Sequence, residues 1–101
     1  MNKYSLSAQA VSDISDLYVF GLERFGRVQA VRFIEELRKI FRLLAENPRL
    51  GRLAPSIRSG VRRHEHRPYV VLYEETPDGV VILAVIHSSS LKRLDLTGHH
   101  S

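Results

Sequence analysis

The stretch from Gly60 to His87, GVRRHEHRPYVVLYEETPDGVVILAVIH, decides the fold because it carries the strongest long-range pattern in the sequence. Two apolar runs, Tyr69 to Tyr73 and Val80 to Ile86, are rich in the β-branched and aromatic residues that favour strands. The linker between them, Glu74 to Gly79, reads EETPDG. Its proline presets φ for a turn, its aspartate can bond its own backbone, and its glycine supplies a left-handed position. The pattern predicts a β-hairpin.

The remaining strands are predicted from their relation to this hairpin. Val80 to Ile86 is apolar at nearly every position, so we expect it in the middle of a sheet, covered on at least one face. The polar run from Val61 to Arg67 has room for another strand, and Pro68 is allowed only at its boundary because proline cannot donate to a strand ladder. Lys3 to Leu6 alternates weakly and predicts a short first strand.

Length and composition indicate one domain. We take residues 1–101 as that domain, with an ordered core at 3–96 and a frayed tail at 97–101. With 44% hydrophobic and 26% charged residues, the composition is that of a soluble globular protein. No apolar run is long enough to span a membrane and the first residues do not resemble a secretory signal, so we expect a cytoplasmic protein. The absence of cysteine excludes disulfides, thiolate metal sites and a cysteine nucleophile.

The positive charge is concentrated in one segment, residues 49–67. This arginine-rich segment holds six arginines and a single acidic residue, Glu65. Arginine suits planar, bidentate recognition of carboxylate or phosphate, so we expect an acidic partner here. The alternative is a solvated basic loop. The six are Arg49, Arg52, Arg58, Arg62, Arg63 and Arg67.

Two helices precede this segment and should form an antiparallel hairpin. Ser7 lies where an N-cap is expected, Gly26 is placed to end the first helix, and the second helix runs from about Val28 to Glu46. Pro48 disfavours helical geometry at the residue before it, so the second helix should end there. The predicted core stripe of this second helix comprises Ala30, Ile34, Leu37, Phe41 and Leu44, widened by Phe33 and Ile40.

The first helix carries more apolar residues than one face can hold. Its predicted core stripe comprises Val11, Ile14, Tyr18, Leu22 and Phe25. Phe20 points away from that stripe, and Leu17 and Val19 flank it. We therefore expect Leu17, Val19 and Phe20 to be partly exposed in the isolated chain and to be covered by a partner.

The order of elements predicts the fold class. The loop from Pro48 to Gly60 has no periodicity and should cross the surface from helix to sheet. Leu91 to Leu96 could form one helical turn capped by a serine. The order β-α-α-β-β-β is that of an α+β protein, with a helical hairpin packed on one face of a small, mostly antiparallel sheet.

Several short motifs occur in a characteristic order and spacing between residues 3 and 96. They are Leu6-Ser7-Ala8, Gly26 with Gln29-Ala30, Leu44-Ala45 with Pro48, Gly51-Arg52, Gly60-Val61-Arg62-Arg63, Glu65-His66, Tyr69 to Tyr73, and Val85-Ile86-His87. Together with the order of elements, they resemble the RelE/ParE superfamily of toxin–antitoxin toxins, and the details resemble its ParE branch.

The resemblance implies a toxin silenced by a cognate antitoxin, expected to be a ParD-like ribbon-helix-helix protein with an acidic tail. Because ParE members act on DNA gyrase, it also implies inhibition of gyrase by binding, with neither chemistry nor a cofactor. We expect the antitoxin to cover the three off-stripe residues of the first helix. We expect its acidic residues to dock on Arg52, Arg58, Arg62, Arg63 and Arg67.

The RelE branch, whose members cut messenger RNA on the ribosome, is the alternative. A metal-free ribonuclease needs groups that activate the 2′-hydroxyl, stabilise the phosphorane and protonate the leaving oxygen. RelE-like chains resemble one another in placing Arg or Lys after the last strand and Tyr a few residues later. Here His87 is followed by three serines, and Leu91 to Leu96 contains no tyrosine. An enzyme of this branch would use His64, Arg63 and His87 instead. A third possibility is an inactive member retained as a binding partner.

The histidines allow two further hypotheses. His64 and His66 alternate on one strand face and could bind a metal with His87, although the alternative is simply a polar strand face. His87 could also act as a general acid or base beside Glu65 or Arg63. No Gly-rich phosphate loop and no Ser-His-Asp spacing is present, which argues against nucleotide enzymes and serine hydrolases.

Overall fold

The computed structural model describes residues 2–91. Its elements, in chain order, are β1 (Lys3–Leu6), α1 (Ala8–Phe25), α2 (Arg27–Glu46), β2 (Arg52–Leu53), β3 (Val61–His66), β4 (Tyr69–Thr76) and β5 (Gly79–His87). A helical segment follows at Ser88 and is described through Leu91. The predicted turn at 91–96, apart from its first residue, and the predicted frayed tail at 97–101 lie outside the described residues.

The five strands form one sheet in the order β1-β5-β4-β3-β2. Only β1 and β5 pair in parallel, and the other three pairs are antiparallel. The predicted α+β class, with a helical hairpin on a mostly antiparallel sheet, is therefore confirmed.

The loop from Pro48 to Gly60 was expected to contain no strand, and this was wrong. Arg52 and Leu53 pair with Arg63 and Arg62, a strand too short to show a period in the sequence.

The hairpin of β4 and β5 is tighter than predicted. The strands continue to Thr76 and resume at Gly79, so the turn has two residues rather than six. Gly79 has a φ of 154°, and a Cβ at this position would overlap the carbonyl oxygen of Lys3. Glycine is required here because β1 lies directly against the start of β5.

Helix α1 is attached to β5 at its N-terminal end. The Ser7 hydroxyl accepts a hydrogen bond from the Ala10 N–H at 3.0 Å, as predicted for an N-cap, and donates to the Leu83 carbonyl at 2.8 Å. One turn later, the Asp13 carboxylate accepts from the Val85 N–H at 3.0 Å. Past the end of β1, the side chains of Ser7 and Asp13 therefore provide hydrogen-bond partners for backbone groups of β5 that no described strand pairs.

The buried face of α1 differs from the predicted stripe. Val11 is 54% exposed and Phe25 is 65% exposed, whereas Ala10 is fully buried. Ile14 and Leu17 pack against the core, and Gly21 lies against Ala30 of α2. Small residues on the buried face of α1 let the two helices approach closely. The stripe of large apolar residues therefore predicted a face that lies about a quarter of a helical turn from the buried one. In α2 the prediction is confirmed, with Ala30, Leu37, Phe41 and Leu44 buried and Phe33, Ile34 and Ile40 packed beside the core.

Both faces of the sheet carry apolar clusters. The helices cover one cluster, which includes Val71, Tyr73 and Ile82. The other cluster is centred on Val70 and Leu72 and is covered by Ile57 and Leu91. This confirms that β5 lies inside the sheet, between β1 and β4. No helix in residues 2–91 has the length and apolar character needed to cross a membrane.

Candidate functional site

Strand β3 divides the polar candidate residues between the two faces of the sheet. His64 pairs with Val71, which belongs to the cluster beneath the helices, whereas Glu65 pairs with Val70, which belongs to the opposite cluster. Because side chains alternate along a strand, Arg62, His64 and His66 lie on the helix side and Arg63 and Glu65 on the other. Arg62 and Arg63 therefore point to opposite faces of the sheet.

On the helix side, a cleft of about 860 Å³ opens between the turn of the helical hairpin and the end of the sheet. We call it the apolar cleft. Its walls are Leu17, Phe20 and Gly21 from α1, Ala30, Phe33 and Glu36 from α2, and His66, Tyr69 and His87 from the sheet. A concave and mainly apolar surface of this kind suits the apolar face of a partner helix.

A row of rings crosses the sheet at the bottom of this cleft. Tyr69 pairs with His66 on one side and with His87 on the other. The Tyr69 ring lies 5.4 Å from the Phe33 ring and meets the His87 ring edge-on at 5.7 Å. His66 Nε2 lies 3.6 Å from a Glu36 carboxylate oxygen, and His87 Nδ1 lies 2.9 Å from the Ser89 hydroxyl. The row therefore links β3, β4 and β5 to α2.

The three off-stripe residues of α1 differ in their surroundings. Val19 is 48% exposed and Phe20 is 44% exposed, which confirms the prediction that they are partly exposed. Phe20 lines the apolar cleft, and the Arg24 guanidinium lies over its ring at 5.2 Å. Leu17, by contrast, packs against the core while also lining the cleft. Leu17 is still partly exposed, as predicted, but it belongs to the buried face of α1 that the predicted stripe missed.

At the edge of the sheet formed by β2 and β3, a smaller cleft of about 420 Å³ is lined by arginines. We call it the arginine cleft, formed by Arg52, Arg63 and Arg67 with Leu50, Gly51, His64 and Glu65. Arg52 and Arg63 are direct partners across β2 and β3. Both donate from Nη2 to the same Glu65 oxygen, at 3.2 Å and 2.8 Å. Within residues 2–91, Arg67 forms no ion pair.

The loop that brings Arg52 to this cleft is held by Tyr73. The Tyr73 hydroxyl is buried, donates to the Pro48 carbonyl at 2.8 Å and accepts from the Gly51 N–H at 2.7 Å. Arg62 Nη1 donates to the Gly51 carbonyl at 2.8 Å. A Cβ at Gly51 would lie 2.6 Å from the Tyr73 hydroxyl, so only glycine fits there. Burial raises the pKa of Tyr73, which keeps its hydroxyl protonated and able to donate.

Two other arginines are paired with carboxylates that the sequence places outside the arginine-rich segment. Arg58 lies 3.0 Å from Glu74, and Arg49 lies 3.7 Å from Glu75. Both carboxylates are on β4, which runs beside β3. Within the arginine-rich segment itself Glu65 is the only acidic residue, so the sequence overstated how many of its arginines are unpaired.

The proposed catalytic and metal-binding groups do not come together. His87 lies on the helix side, whereas Arg63 and Glu65 lie on the opposite face and bind each other. His66 and His87 are separated by the intervening strand β4, roughly two strand spacings or ~10 Å. Among the described residues, no group of three or more His, Asp or Glu could hold a metal ion. The hypotheses of a site combining His64, His66 and His87, and of His87 acting beside Glu65 or Arg63, are therefore wrong.

His64 is half-buried near the arginine cleft. Burial lowers the pKa of its imidazole below the ordinary value, the adjacent His66 lowers it further, and Glu65 partly opposes both effects. At neutral pH His64 is therefore a neutral polar group, which adds no cation to the surrounding arginines.

Sequence reasoning missed the residues that shape both clefts. Tyr69 and Tyr73 were assigned only to a strand, although their spacing places both on one face. The aromatic side chain of Phe33 was recognised as apolar, but its contact with Tyr69 depends on how α2 crosses the sheet. The small residues Gly21 and Ala30 could have indicated where the two helices cross, since close helix packing favours small side chains.

Solved structures share this fold. A chain of the chromosomal ParDE TA system from P. aeruginosa has a TM-score of 0.71 at 19% identity, covering 86% of this chain and 96% of that one. A chain of the E. coli DinJ-YafQ complex has a TM-score of 0.55 at 15% identity, covering 90% and 98%. The fold is thus that found in toxin–antitoxin systems.

Sequence similarity identifies the family. The family described as ParE toxin of type II toxin-antitoxin system, parDE, matches residues 4–91. Toxin ParE1 of Caulobacter vibrioides is 32% identical over 96 residues, covering 95% of this chain and 99% of the relative. Toxin ParE1 of Mycobacterium tuberculosis is 29% identical over 87 residues, covering 85% and 89%. The chain belongs to the ParE toxin family and is the toxin component of a type II toxin–antitoxin system, which pairs with a cognate antitoxin.

Proposed function

We propose that this toxin inhibits DNA gyrase by binding it and trapping its DNA-cleaved state, and that it performs no chemistry of its own. Membership of the ParE family supports the target, and action on gyrase would place the protein in the cytoplasm. The observation that carries the absence of chemistry is the division of the candidate catalytic groups between the two faces of the sheet. His87 and His64 lie on one face, and Arg63 lies on the other.

The separation matters because acid–base catalysis depends on reach. A general acid and a general base must both approach the same phosphate and 2′-hydroxyl within hydrogen-bond distance. Arg63 is held by Glu65, and His87 is in edge contact with Tyr69. For Arg63 and His87 to replace the usual RelE-like catalytic residues, side chains from opposite faces of the sheet would have to reach the same phosphate. Ribosome-dependent cleavage of messenger RNA is accordingly the alternative that the experiment must test.

The experiment compares the two targets with the same preparation. Purified toxin is added to a gyrase supercoiling assay and, separately, to a translating ribosome extract whose messenger ends are mapped. We expect loss of supercoiling with accumulation of cleaved DNA, and no defined messenger cleavage. Toxin mixed with an excess of its antitoxin is the control and should be inactive. Defined messenger cleavage with supercoiling untouched would contradict the proposal and favour a ribonuclease.

A variant of His87 separates the mechanisms further. His87→Ala removes the ring at the end of β5, which is exposed and contacts Ser89 and Tyr69. If the toxin acts by binding, cells expressing this variant at equal abundance should still arrest replication and elongate. A catalytic His87 would contribute about 10²–10⁴-fold to the rate, and its loss would make the variant harmless.

For neutralisation, we propose that the antitoxin occupies both clefts. A helix of the antitoxin would cover Phe20 and Leu17 in the apolar cleft and extend over Val19. An acidic segment would meet the arginines, with Arg52, Arg58 and Arg67 on the surface and Arg63 mostly buried beside them. Arg62 would act indirectly, because its guanidinium holds the loop at Gly51.

A further inference from the structure

The Glu65 carboxylate is bound by two arginines, Arg52 and Arg63, in a position where a carboxylate from another protein could also bind. The Glu65 side chain lies on the same face of β3 as Arg63, two residues away, and Arg63 is the direct partner of Arg52 across β2 and β3. Two guanidinium groups donate to one of its oxygens, at 2.8 Å and 3.2 Å. Contacts between guanidinium and carboxylate are among the strong hydrogen bonds of proteins because both partners carry charge.

The arginine cleft has more donors than Glu65 uses. A guanidinium carries five N–H donors, and the Nε of Arg63 is buried without a hydrogen-bond partner among the described residues. The Arg63 side chain is only 19% exposed, which fixes its orientation. Arg67 lines the same cleft and forms no ion pair within residues 2–91. One carboxylate is therefore present where at least two could be held.

We propose that Glu65 is an internal occupant of a carboxylate-docking site, and that an acidic peptide segment displaces it when it binds. The proposal rests on the proposed neutralisation, in which an acidic segment of the antitoxin meets these arginines, and it specifies where one carboxylate goes. Glu65 and Arg52 are on the surface, so a change of side-chain rotamer releases the site without moving the backbone. The incoming carboxylate recovers the ion pairs that Glu65 gives up.

The observed contact favours a carboxylate over a phosphate. Glu65 already shows that the spacing of the two Nη2 groups suits one carboxylate oxygen. A nucleic-acid backbone carries a charge on every phosphate and would bring neighbouring phosphates close to the Glu65 carboxylate, which would repel them. An acidic peptide can instead place a single carboxylate in the cleft.

The test uses Glu65→Gln, which removes the charge and keeps the size of the side chain. A fluorescein-labelled N-acetyl-hexaglutamate peptide is titrated with the full-length toxin at low ionic strength. We expect the variant to bind this probe about three- to fivefold more tightly than the unmodified protein, the equivalent of one exposed ion pair. Glu74→Gln is the matched control, because it also removes one negative charge but releases only Arg58. Its effect should be less than about twofold.

Each outcome decides the question. Equal tightening in the two variants would show a general charge effect and overturn the proposal. No tightening, or weakening, in Glu65→Gln with an unchanged melting temperature would show that Glu65 does not compete for the site. Adding Arg52→Ala, at a side chain that is 69% exposed, should remove the gain given by Glu65→Gln. A gain that survived this substitution would also overturn the proposal.

A nucleic-acid arm distinguishes the chemistry of the ligand. A labelled thymidine dodecanucleotide is titrated against the same variants, and we expect Glu65→Gln to change its affinity less than that of the peptide. A larger gain for the oligonucleotide would assign the site to phosphate and contradict the choice of a carboxylate. Because neither gyrase nor antitoxin is present in these titrations, a failure here leaves gyrase inhibition untouched, and a failed supercoiling assay leaves this result untouched.

Discussion

The Tyr73 hydroxyl shows how a single buried polar atom positions a functional loop. It is the only part of the fully buried ring that can hydrogen-bond, and it meets both Pro48 and Gly51. These contacts tie the segment after α2 to the centre of the sheet, and Arg62 fixes the same segment from β3. The guanidinium of Arg52 therefore stands on a loop whose backbone is anchored on either side of Gly51.

Replacing Tyr73 by Phe removes this anchor without leaving a large cavity. We expect the free energy of unfolding to fall by about 1–3 kcal/mol, because a buried N–H and a carbonyl lose their partner. Urea denaturation measures the change. Tyr4→Phe is the control, since the Tyr4 ring packs 5.4 Å from Phe41 and lies at the edge strand. Equal losses in the two variants would show that the hydroxyl of Tyr73 has no special role.

The lowered pKa of His64 predicts that the protein is less stable to unfolding at acidic pH. This pKa is lower in the folded protein than in the unfolded chain, mainly because of burial. The unfolded state therefore binds the proton more readily, so this contribution to stability is complete above the ordinary histidine pKa and is lost as pH falls below it. We expect His64→Gln to show a smaller decrease in melting temperature than the parent between about pH 7.5 and pH 5. An unchanged decrease would exclude His64 as a source of acid sensitivity.

At the scale of elements, the two helices differ in how well their sequences predict their packing. In α2 the large apolar residues and the buried residues coincide, so Leu37 and Phe41 identify the core face. In α1 the close approach to α2 and the sheet is made by Ala10 and Gly21, which carry little hydrophobic signal. Periodicity of large side chains finds a buried face only when the neighbouring element leaves room for them.

Phe20 provides a test of the apolar cleft as the surface for the antitoxin. Phe20→Ala should weaken antitoxin binding while lowering the melting temperature little, because nearly half of the side chain is already exposed. Isothermal titration calorimetry and thermal unfolding measure the two effects. As a control, Phe41→Ala should destabilise the fold by about 3–5 kcal/mol, since Phe41 is buried in the core.

The opposite result for Phe20 would have a clear meaning. A large loss of stability with unchanged binding would assign Phe20 to the core and leave the apolar cleft without evidence for a partner. Leu17→Ala should give an intermediate result, because Leu17 contributes both to the core and to the cleft wall.

At the scale of the molecule, the distribution of charge could not be predicted from sequence neighbours. The arginine-rich segment contains one carboxylate, yet the sheet brings Glu74 and Glu75 beside Arg58 and Arg49. These contacts form where the loops on either side of β2, which carry Arg49 and Arg58, meet β4, and they join residues that are 16 and 26 positions apart. The fold class was accessible because apolar patterns are local, whereas the charge pattern depends on how these loops fold against the sheet.

The arginines that remain accessible predict a salt-dependent complex. If acidic residues of the antitoxin bind them, raising the ionic strength should weaken the toxin–antitoxin affinity, because exposed ion pairs are screened. Dissociation constants measured from about 0.05 M to 0.5 M salt should rise steadily. Affinity that does not change over this range would indicate that the arginines are a solvated face and that the apolar cleft carries the binding.

The parallel pairing of β1 with β5 has a consequence for how the toxin is made. Lys3 aligns with Gly79, so the only neighbour that the first strand has in the sheet of residues 2–91 is near the far end of that range. During translation β1 emerges early and has no partner until β5 leaves the ribosomal tunnel, after both helices have been made. Long-range pairing of this kind forms late in folding. A nascent chain released before β5 lacks the strand that joins β1 to β4, and it should be harmless to the cell that makes it.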